Sequence, residues 1–310
     1  MSATKYTLSK VDTLTEKSLS LFAVFSASMI ILISFFITVR GIMPFITDNN
    51  GLRRVNILRF LTSNVWLAGE TFVSTAYGAG FLVIQTLYIA FLALLVAFPI
   101  GVLTALFIAK IAPTSIANIL RTIIELLTSV PSIVFGLVGA GLILPYVYQA
   151  ARAFGFQSSG GSGTLSVVIV LALMSIPTIT AISEVAIRSV DESLEQAALA
   201  LGATNTQTRF SVTLLAAKNG LFSSTILAIG RALGEATAVS LVAGNARSGP
   251  NFGLFDITST ITSTMLQGMK ETSGVDYDIR FSLGILLMVV ILLTNLSLNF
   301  VKKKVGNIHE

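Results

Sequence analysis

The sequence is poor in the residues that usually carry enzyme chemistry. Its 310 residues include no cysteine and a single histidine, His309. The absence of cysteine excludes a disulfide framework and a thiolate nucleophile, and one histidine is too few for a histidine metal cluster and leaves none for a Ser-His-Asp triad. No G-x-x-x-x-G-K-[ST] phosphate-binding loop occurs, so the chain is not itself an ATPase. We therefore expect no enzyme activity, no metal and no cofactor.

Charge is scarce as well. Asp, Glu, Lys and Arg make up 11% of the chain and hydrophobic residues 54%, whereas about 25% charged residues is ordinary for soluble domains. This composition indicates a polytopic membrane protein. The net charge of +5 comes mostly from basic residues that flank apolar segments. We attribute it to the lipid surface and expect no nucleic-acid partner.

Six mostly apolar stretches approach the roughly 20 residues that a helix needs to cross a bilayer. The fold class predicted from them is all-α, with six transmembrane helices. The predicted spans are 18–39, 81–108, a third that begins near Leu126, 165–183, 221–242 and 281–301. An even number of spans places both termini on one side, and the basic residues Lys302, Lys303 and Lys304 predict that this side is cytoplasmic.

Two opposite charges, Arg231 and Glu235, lie inside the fifth predicted span. Each costs roughly 2.5 to 3.5 kcal/mol at the centre of a membrane helix on insertion scales. A spacing of four residues would place both side chains on one helical face, where they can pair and still reach a common cavity. One interpretation is a structural ion pair between helices. We favour a substrate or ion pathway, because intramembrane charges usually mark one.

A proline interrupts the third predicted span at Pro131. Proline lacks a backbone donor and clashes with the preceding turn, so we expect a kink or a broken helix there. In transporters such breaks can turn backbone groups toward a substrate, although many serve only packing. Ser132, beside the break, could add a hydroxyl donor to a pathway, but a serine in a membrane helix usually bonds to its own backbone.

The polar segment between the fourth and fifth spans, at about 191–215, has the pattern of two short helices around a glycine. Ser193 is the predicted N-cap of the first helix, and Gly202 suits its end. Thr204 and Gln207 predict a capping box for the second helix. Surface helices of this kind can dock in a groove on another protein. A plain connector is the alternative.

The sequence QAALALG in this segment resembles the E-A-A-x3-G-x9-I-x-L-P loop of bacterial ABC importer permeases. Gln196 stands where the motif has Glu, with Glu195 adjacent, and Leu215 stands where it has Pro. In that family the loop is the coupling helix that engages the ATPase subunit. The resemblance places the coupling contacts at Glu195, Gln196, Ala197, Ala198 and Gly202.

Three further stretches resemble the phosphate importer permease of the PstC type. They are IELLTSVPSIVFG at 124–136, SIPTITAIS at 175–183 and GRALGEATAV at 230–239. The resemblance implies an ABC type I importer permease fold, in which the residues matching Arg231 and Glu235 are associated with phosphate translocation. It divides the chain into a tail, first span and external connector at 1–80, a permease domain at 81–301 and a basic tail at 302–310.

The resemblance also implies partners and a location. It predicts a multi-pass protein of the bacterial plasma membrane that works with a second permease of the PstA type, two cytoplasmic ATPase subunits of the PstB type and an external phosphate-binding protein of the PstS type. Two alternatives stay open: a permease of the same architecture for another oxyanion or a small polar solute, and an ion-coupled carrier that works alone. The second gives no reason for the capped helices at 191–215.

Overall fold

The computed structural model describes residues 10–47, 54–67 and 77–306. The predicted tail at 1–9, the connector residues 48–53 and 68–76, and the last four residues lie outside the described part. Helices account for most of what is described. They are α1 Lys10–Ile46, α2 Ile57–Thr62, α3 Gly80–Lys110, α4 Thr114–Ser129, α5 Ser132–Val138, α6 Leu144–Ala153, α7 Thr164–Arg188, α8 Glu192–Ala200, α9 Asn205–Gln207, α10 Leu214–Ala216, α11 Lys218–Gly234, α12 Thr237–Val242, α13 Ile261–Leu266 and α14 Val275–Gly306. Within these ranges only isolated β-bridges occur, so the all-α prediction is confirmed.

Five helical segments of the described chain are long and apolar enough to cross a membrane. They are α1 from Leu14 onward, α3, α5 joined to α6 through a π-helical turn, α7, and α14. A sixth span forms only if the pair Asn205–Ala216 and Lys218–Gly234, bent by 66°, counts as one. The prediction of six spans therefore holds with that pair included.

Two predicted spans are built differently from expectation. The third was expected to begin near Leu126, but Leu126 belongs to the separate helix α4, and the span begins at Ser132 after the break at Pro131. The fifth was expected to be one helix over 221–242. It is interrupted between Gly234 and Thr237, so that α11 and α12 are separate helices.

The predicted limits of the other spans fall at the first charged residues, and the helices continue past them. In α7 the helix includes Glu184 and Arg188, which form an ion pair with an N–O distance of 2.8 Å. In α1 it includes Arg40, whose guanidinium lies 3.3 Å from Asp278 of α14. Pairing reduces the cost of these charges near the membrane, so they do not end the helices.

The centre of the molecule is the contact between α3 and α7, on which α11 packs. Close approach of α3 and α7 requires glycine at Gly101, because a Cβ there would lie 2.7 Å from Ile179 Cγ2. Buried apolar side chains of α3, α7, α11 and α12 fill the space around this contact. Helix α1 lies at the periphery and packs on α14.

The helices define two ends of the molecule. At one end, which we call the connector end, α3 begins next to the connector, where Gly78 N donates to Val65 O at 2.8 Å. At the other, the α8 end, α3 finishes at Lys110, which pairs with Glu195 of α8. With 31 residues α3 is roughly 46 Å long. The two ends are therefore separated by about the thickness of a bilayer.

Candidate functional site

Arg231 lies in the last turn of α11, and its side chain is half-buried against α7. Its Nη1 donates a hydrogen bond of 3.0 Å to Thr178 Oγ1. None of the four ion pairs found in the described residues involves Arg231. The guanidinium therefore has a neutral partner and no carboxylate partner in the described part of the chain, with donors left for an anion.

Glu235 does not share a helical face with Arg231, because α11 ends at Gly234 and Glu235 has extended backbone angles (φ −73°, ψ 116°). Its Oε1 accepts a hydrogen bond of 3.1 Å from Ala238 N, in the first turn of α12. The expected ion pair with Arg231 is absent from the described contacts. The prediction of one continuous helix fails here because the carboxylate stabilises the start of a new helix instead.

Two helix breaks lie side by side. A Cβ at Gly136 of α5 would lie 2.8 Å from Ala238 Cα, and one at Gly139 would lie 2.9 Å from Val242 Cγ1. Helices α5 and α12 therefore run next to each other in the same direction. Each begins at a break, α5 at Ser132 and α12 at Thr237. This confirms the predicted break at Pro131 and brings half-buried Ser132 to the same end of the helix pair as Glu235.

Two hydroxyls at this position were not singled out from the sequence. Thr178 follows Pro177 inside α7 and holds the guanidinium of Arg231. Thr262 of α13 donates a 2.7 Å hydrogen bond to the carbonyl of Glu235 and so fixes the interruption between α11 and α12. Thr178 lies within the stretch that resembles the PstC type, but only its position opposite Arg231 identifies it.

The segment predicted to couple to another protein forms two helices around a glycine, as expected. Gly202 has φ +88°, and its N–H and that of Ala203 donate to the carbonyls of Leu199 and Ala198, which closes α8 with a left-handed turn. The capping box of Thr204 and Gln207 is present. The predicted N-cap Ser193 is wrong: Asp191 caps α8 by accepting from the N–H of Ser193 at 2.9 Å.

The outer face of α8 is exposed and partly apolar. No residue of α8 is buried, and Gln196 and Ala197 are exposed while Ala198 is half-buried. Leu201, at the turn, has 90% of its surface exposed. Leu194 and Leu199 of α8 are 48% and 43% exposed as well, and several exposed leucines on one short segment suit contact with another protein.

Glu195 points inward, away from this exposed face. Lys110 Nζ lies 2.8 Å from Glu195 Oε1, and Thr213 Oγ1 donates to the same oxygen at 2.9 Å. Burial works to raise the pKa of Glu195, but the hydrogen bonds from Lys110 and Thr213 and the nearby positive charges outweigh it and lower the pKa. The carboxylate thus ties α8 to the end of α3. An ion pair from Glu195 to a partner, which the sequence left open, would have to compete with this contact.

A second charged cluster lies near the same end. Glu184 is 6% exposed, and its Oε1 accepts from Arg121 Nη2 at 2.6 Å and from Arg188 Nε at 2.8 Å. Arg188 also donates to the carbonyl of Ile108 at 3.2 Å. These contacts join α3, α4 and α7 just where α8 begins. The segment predicted to couple to another protein therefore rests on helices that are linked by ion pairs.

Comparison with known proteins identifies the family. The model of the binding-protein-dependent transport system inner membrane component matches residues 97–307, more than half of the chain. The chain belongs to this family. As a permease of this family it is a multi-pass membrane protein and a transporter subunit rather than an enzyme. The family works with a binding protein and an ATPase, so a carrier that works alone is not supported.

Relatives and solved structures agree. The permease is 34% identical over 275 residues to a probable ABC transporter permease, YqgH, of Bacillus subtilis (88% of this chain, 84% of the relative). It is 32% identical over 265 residues to the phosphate transport system permease protein PstC of Pasteurella multocida (80% and 81%). A chain of a bacterial alginate ABC transporter matches 96% of the permease with a TM-score of 0.60 at 16% identity and 99% coverage of that chain. This last likeness shows the fold, that of an ABC importer permease.

Proposed function

We propose that this permease forms half of the translocation pathway for inorganic phosphate in an ATP-driven importer. The observation that carries the proposal is the half-buried guanidinium of Arg231, which is bonded to neutral Thr178 and has no carboxylate partner among the described residues. A planar guanidinium suits the oxygens of phosphate. Relatives named PstC at 29 to 32% identity support phosphate as the cargo.

Glu235 has a different part in this proposal from the one expected. Its carboxylate holds the start of α12, and its carbonyl is held by Thr262. It therefore shapes the interruption beside Arg231 and adds negative charge close to it. A negative charge near the guanidinium weakens anion binding, which a pathway needs because a site that holds its ion too tightly cannot release it. Ser132, at the neighbouring break, is a secondary donor in this proposal.

We also propose how the subunits assemble. The exposed face of α8, with Gln196, Ala197 and Leu201, docks on a cytoplasmic ATPase dimer of the PstB type, while Ala198 and Gly202 set the shape of the turn. A second permease of the PstA type completes the pathway within the lipid bilayer, and a phosphate-binding protein of the PstS type delivers the ion at the connector end.

The same proposal places both termini in the cytoplasm of a bacterial cell. Lys302 Nζ donates to Ser223 Oγ of α11 at 2.9 Å, which supports a position of the C-terminal end of α14 toward the α8 end. Arg40 of α1 pairs with Asp278 of α14, and a Cβ on Gly284 would lie 3.2 Å from Ile37 Cγ2, so α1 runs antiparallel to α14 and begins at the end where α14 finishes. Lys302, Lys303 and Lys304 add the positive charge typical of a cytoplasmic flank.

Uptake of labelled phosphate tests the cargo and Arg231 together. Cells depleted of the permease receive the wild type, Arg231→Ala or the control Arg152→Ala, an exposed arginine over the ring of Tyr148. Sulfate and molybdate are the competitors. We expect phosphate-selective uptake with the wild type and with Arg152→Ala. In Arg231→Ala uptake should be reduced about tenfold or more, since a hydrogen bond to a charged group contributes roughly 1.5 to 3 kcal/mol.

Two results would contradict the proposal. Normal uptake by Arg231→Ala would reduce the arginine to a structural role. Failure of the wild type to restore labelled-phosphate uptake would assign another oxyanion or solute to the same architecture, since the charge of Arg231 alone does not select among oxyanions.

A further inference from the structure

A polar cavity of about 250 Å³ opens at the connector end of the permease. It lies between the connector, the residues that follow α12, the end of α13 and the start of α14. The side chains and backbone that matter for its chemistry belong to Trp66, Arg247, Thr264, Gln267, Thr272 and Arg280. Two arginines in one small cavity are unusual in a chain with so few charges, and Arg231 is not among them.

Arg280 is the buried member of the pair, with 3% of its surface exposed. Its Nη1 donates to the carbonyl of Thr264 at 2.8 Å and its Nε to Thr272 Oγ1 at 3.3 Å. Its Nη2 lies 3.3 Å from the position that a Cβ would take on Gly268, which lines the cavity. Two nitrogens thus have neutral partners, and the third lies at the cavity wall.

The nearby carboxylates do not neutralise Arg280 directly. Asp276 accepts a hydrogen bond from the hydroxyl of Tyr77, and burial together with this bond raises the pKa of Tyr77, so the phenol remains a donor. Glu271 is exposed to solvent, and its Oε2 lies 3.9 Å from the same Cβ position on Gly268. The negative charges of Asp276 and Glu271 attract Arg280 electrostatically. Neither carboxylate forms one of the four ion pairs of the described residues. A buried cation without a direct counterion is costly unless an anion joins it.

Arg247 is the exposed member and lines the same cavity. Its carbonyl accepts from Trp66 N at 2.7 Å, which fixes the backbone of both residues at the cavity. Its side chain takes part in none of the ion pairs of the described chain. Gln267, also exposed, adds an amide at the rim. The cavity therefore combines two guanidinium groups with one amide, all of which can donate to oxygen.

We propose that this cavity binds one small tetrahedral oxyanion between Arg247 and Arg280, and, where the proposed function holds, that this ion is phosphate on its way to the pathway. The volume equals that of about eight waters, which leaves room for such an ion with part of its hydration. Helix α13 connects the two sites, because Thr264 lines the cavity and Thr262 bonds to the carbonyl of Glu235. The site lies at the end opposite α8, where an imported ion would arrive.

The single tryptophan of the chain provides the measurement. Trp66 lines the cavity and is 6% exposed, so its emission should change when an ion binds beside it. The full chain in phospholipid-free detergent is titrated with sodium phosphate at constant ionic strength, with chloride as the balancing anion. We expect a saturable change, with an apparent Kd raised about tenfold or more in Arg247→Gln because a charge-assisted contact is lost.

Three variants separate this site from other causes. Arg59→Gln, an exposed arginine of α2 at the same end, should bind like the wild type. Arg152→Gln, an exposed arginine of α6 that does not line the cavity, should also bind like the wild type. Arg280→Lys keeps the charge and should bind weakly. Because Arg247 is exposed, its variant should elute from size exclusion as the wild type does. With that elution profile, a loss of binding in Arg247→Gln reports the lost contact and not misfolding.

The proposal is overturned if the wild type gives no saturable signal, or if Arg247→Gln binds phosphate as the wild type does. A signal produced by phosphatidylglycerol micelles but not by phosphate would also overturn it, because the anion would then be a lipid headgroup. If phosphate or sulfate binding depends on Arg247 but the permease does not restore labelled-phosphate uptake in cells, the site is supported and the proposed cargo is contradicted. The two proposals can therefore fail separately.

Discussion

Breaking the contact between Lys110 and Glu195 should loosen the attachment of α8, the helix proposed to dock on the ATPase, to α3. The two side chains are 17% and 20% exposed and their charged atoms lie 2.8 Å apart. Unit charges about 4 Å apart attract by roughly 4 kcal/mol at an effective dielectric of 20. Desolvation offsets much of this attraction. We therefore expect a coupling energy of about 1 to 2 kcal/mol, within the range for residues in direct contact.

A double-mutant cycle measures this energy. The wild type, Glu195→Gln, Lys110→Met and the double variant are purified as full chains, and their thermal unfolding midpoints are compared. At about 2 °C per kcal/mol for a chain of this size, each single change should lower Tm by a few degrees. The double variant should lose less stability than the two single variants lose together, and the difference is the coupling energy. Glu192→Gln, on the same helix without an ion pair in the described structure, should lower Tm less, since it removes only a first-turn charge at the start of α8.

The pH dependence gives the contact a second signature. Because the pKa of Glu195 is lowered in the folded protein, the contact stabilises the fold fully above the ordinary value of 4.5 and is lost as the pH falls through the lowered value. The Tm difference between the wild type and Glu195→Gln should therefore stay constant from about pH 6 to 8 and shrink only in acid. Strictly additive single effects, or a difference that already declines near neutral pH, would refute the reasoning.

Two further predictions concern the pathway and the coupling turn. Thr178→Val removes the hydrogen bond that holds Arg231, so phosphate uptake should fall about tenfold, while Thr178→Ser should retain it; equal uptake by both variants would remove Thr178 from the pathway. In Gly202→Ala the alanine must adopt φ +88°, at a cost of roughly 1 to 2 kcal/mol. Less ATPase should therefore copurify with this variant than with the control Gly141→Ala, whose added methyl meets no atom within 4 Å. Equal copurification with both variants would show that the turn does not set the docking surface.

Local sequence patterns were sufficient for several features. Uninterrupted apolar length predicted the spans at α3, α7 and α14 to within six residues at each end, because crossing a bilayer depends mainly on length and hydrophobicity. Pro131 predicted the break before α5, because proline cannot continue a helix. The turn at Gly202 and the capping box that begins at Thr204 also follow from neighbouring residues.

The sequence by itself determined that this is an all-α membrane protein, and where Arg231 and the polar segment at about 191–215 lie along it. Only the tertiary structure decided what these residues contact. Arg231 bonds to Thr178, 53 residues away, rather than to nearby Glu235, and Glu195 turns inward to Lys110 rather than outward. The cavity between Arg247 and Arg280 likewise needs segments from distant parts of the chain. Helical periodicity fixes which neighbours share a face, but partners across helices depend on how the helices pack.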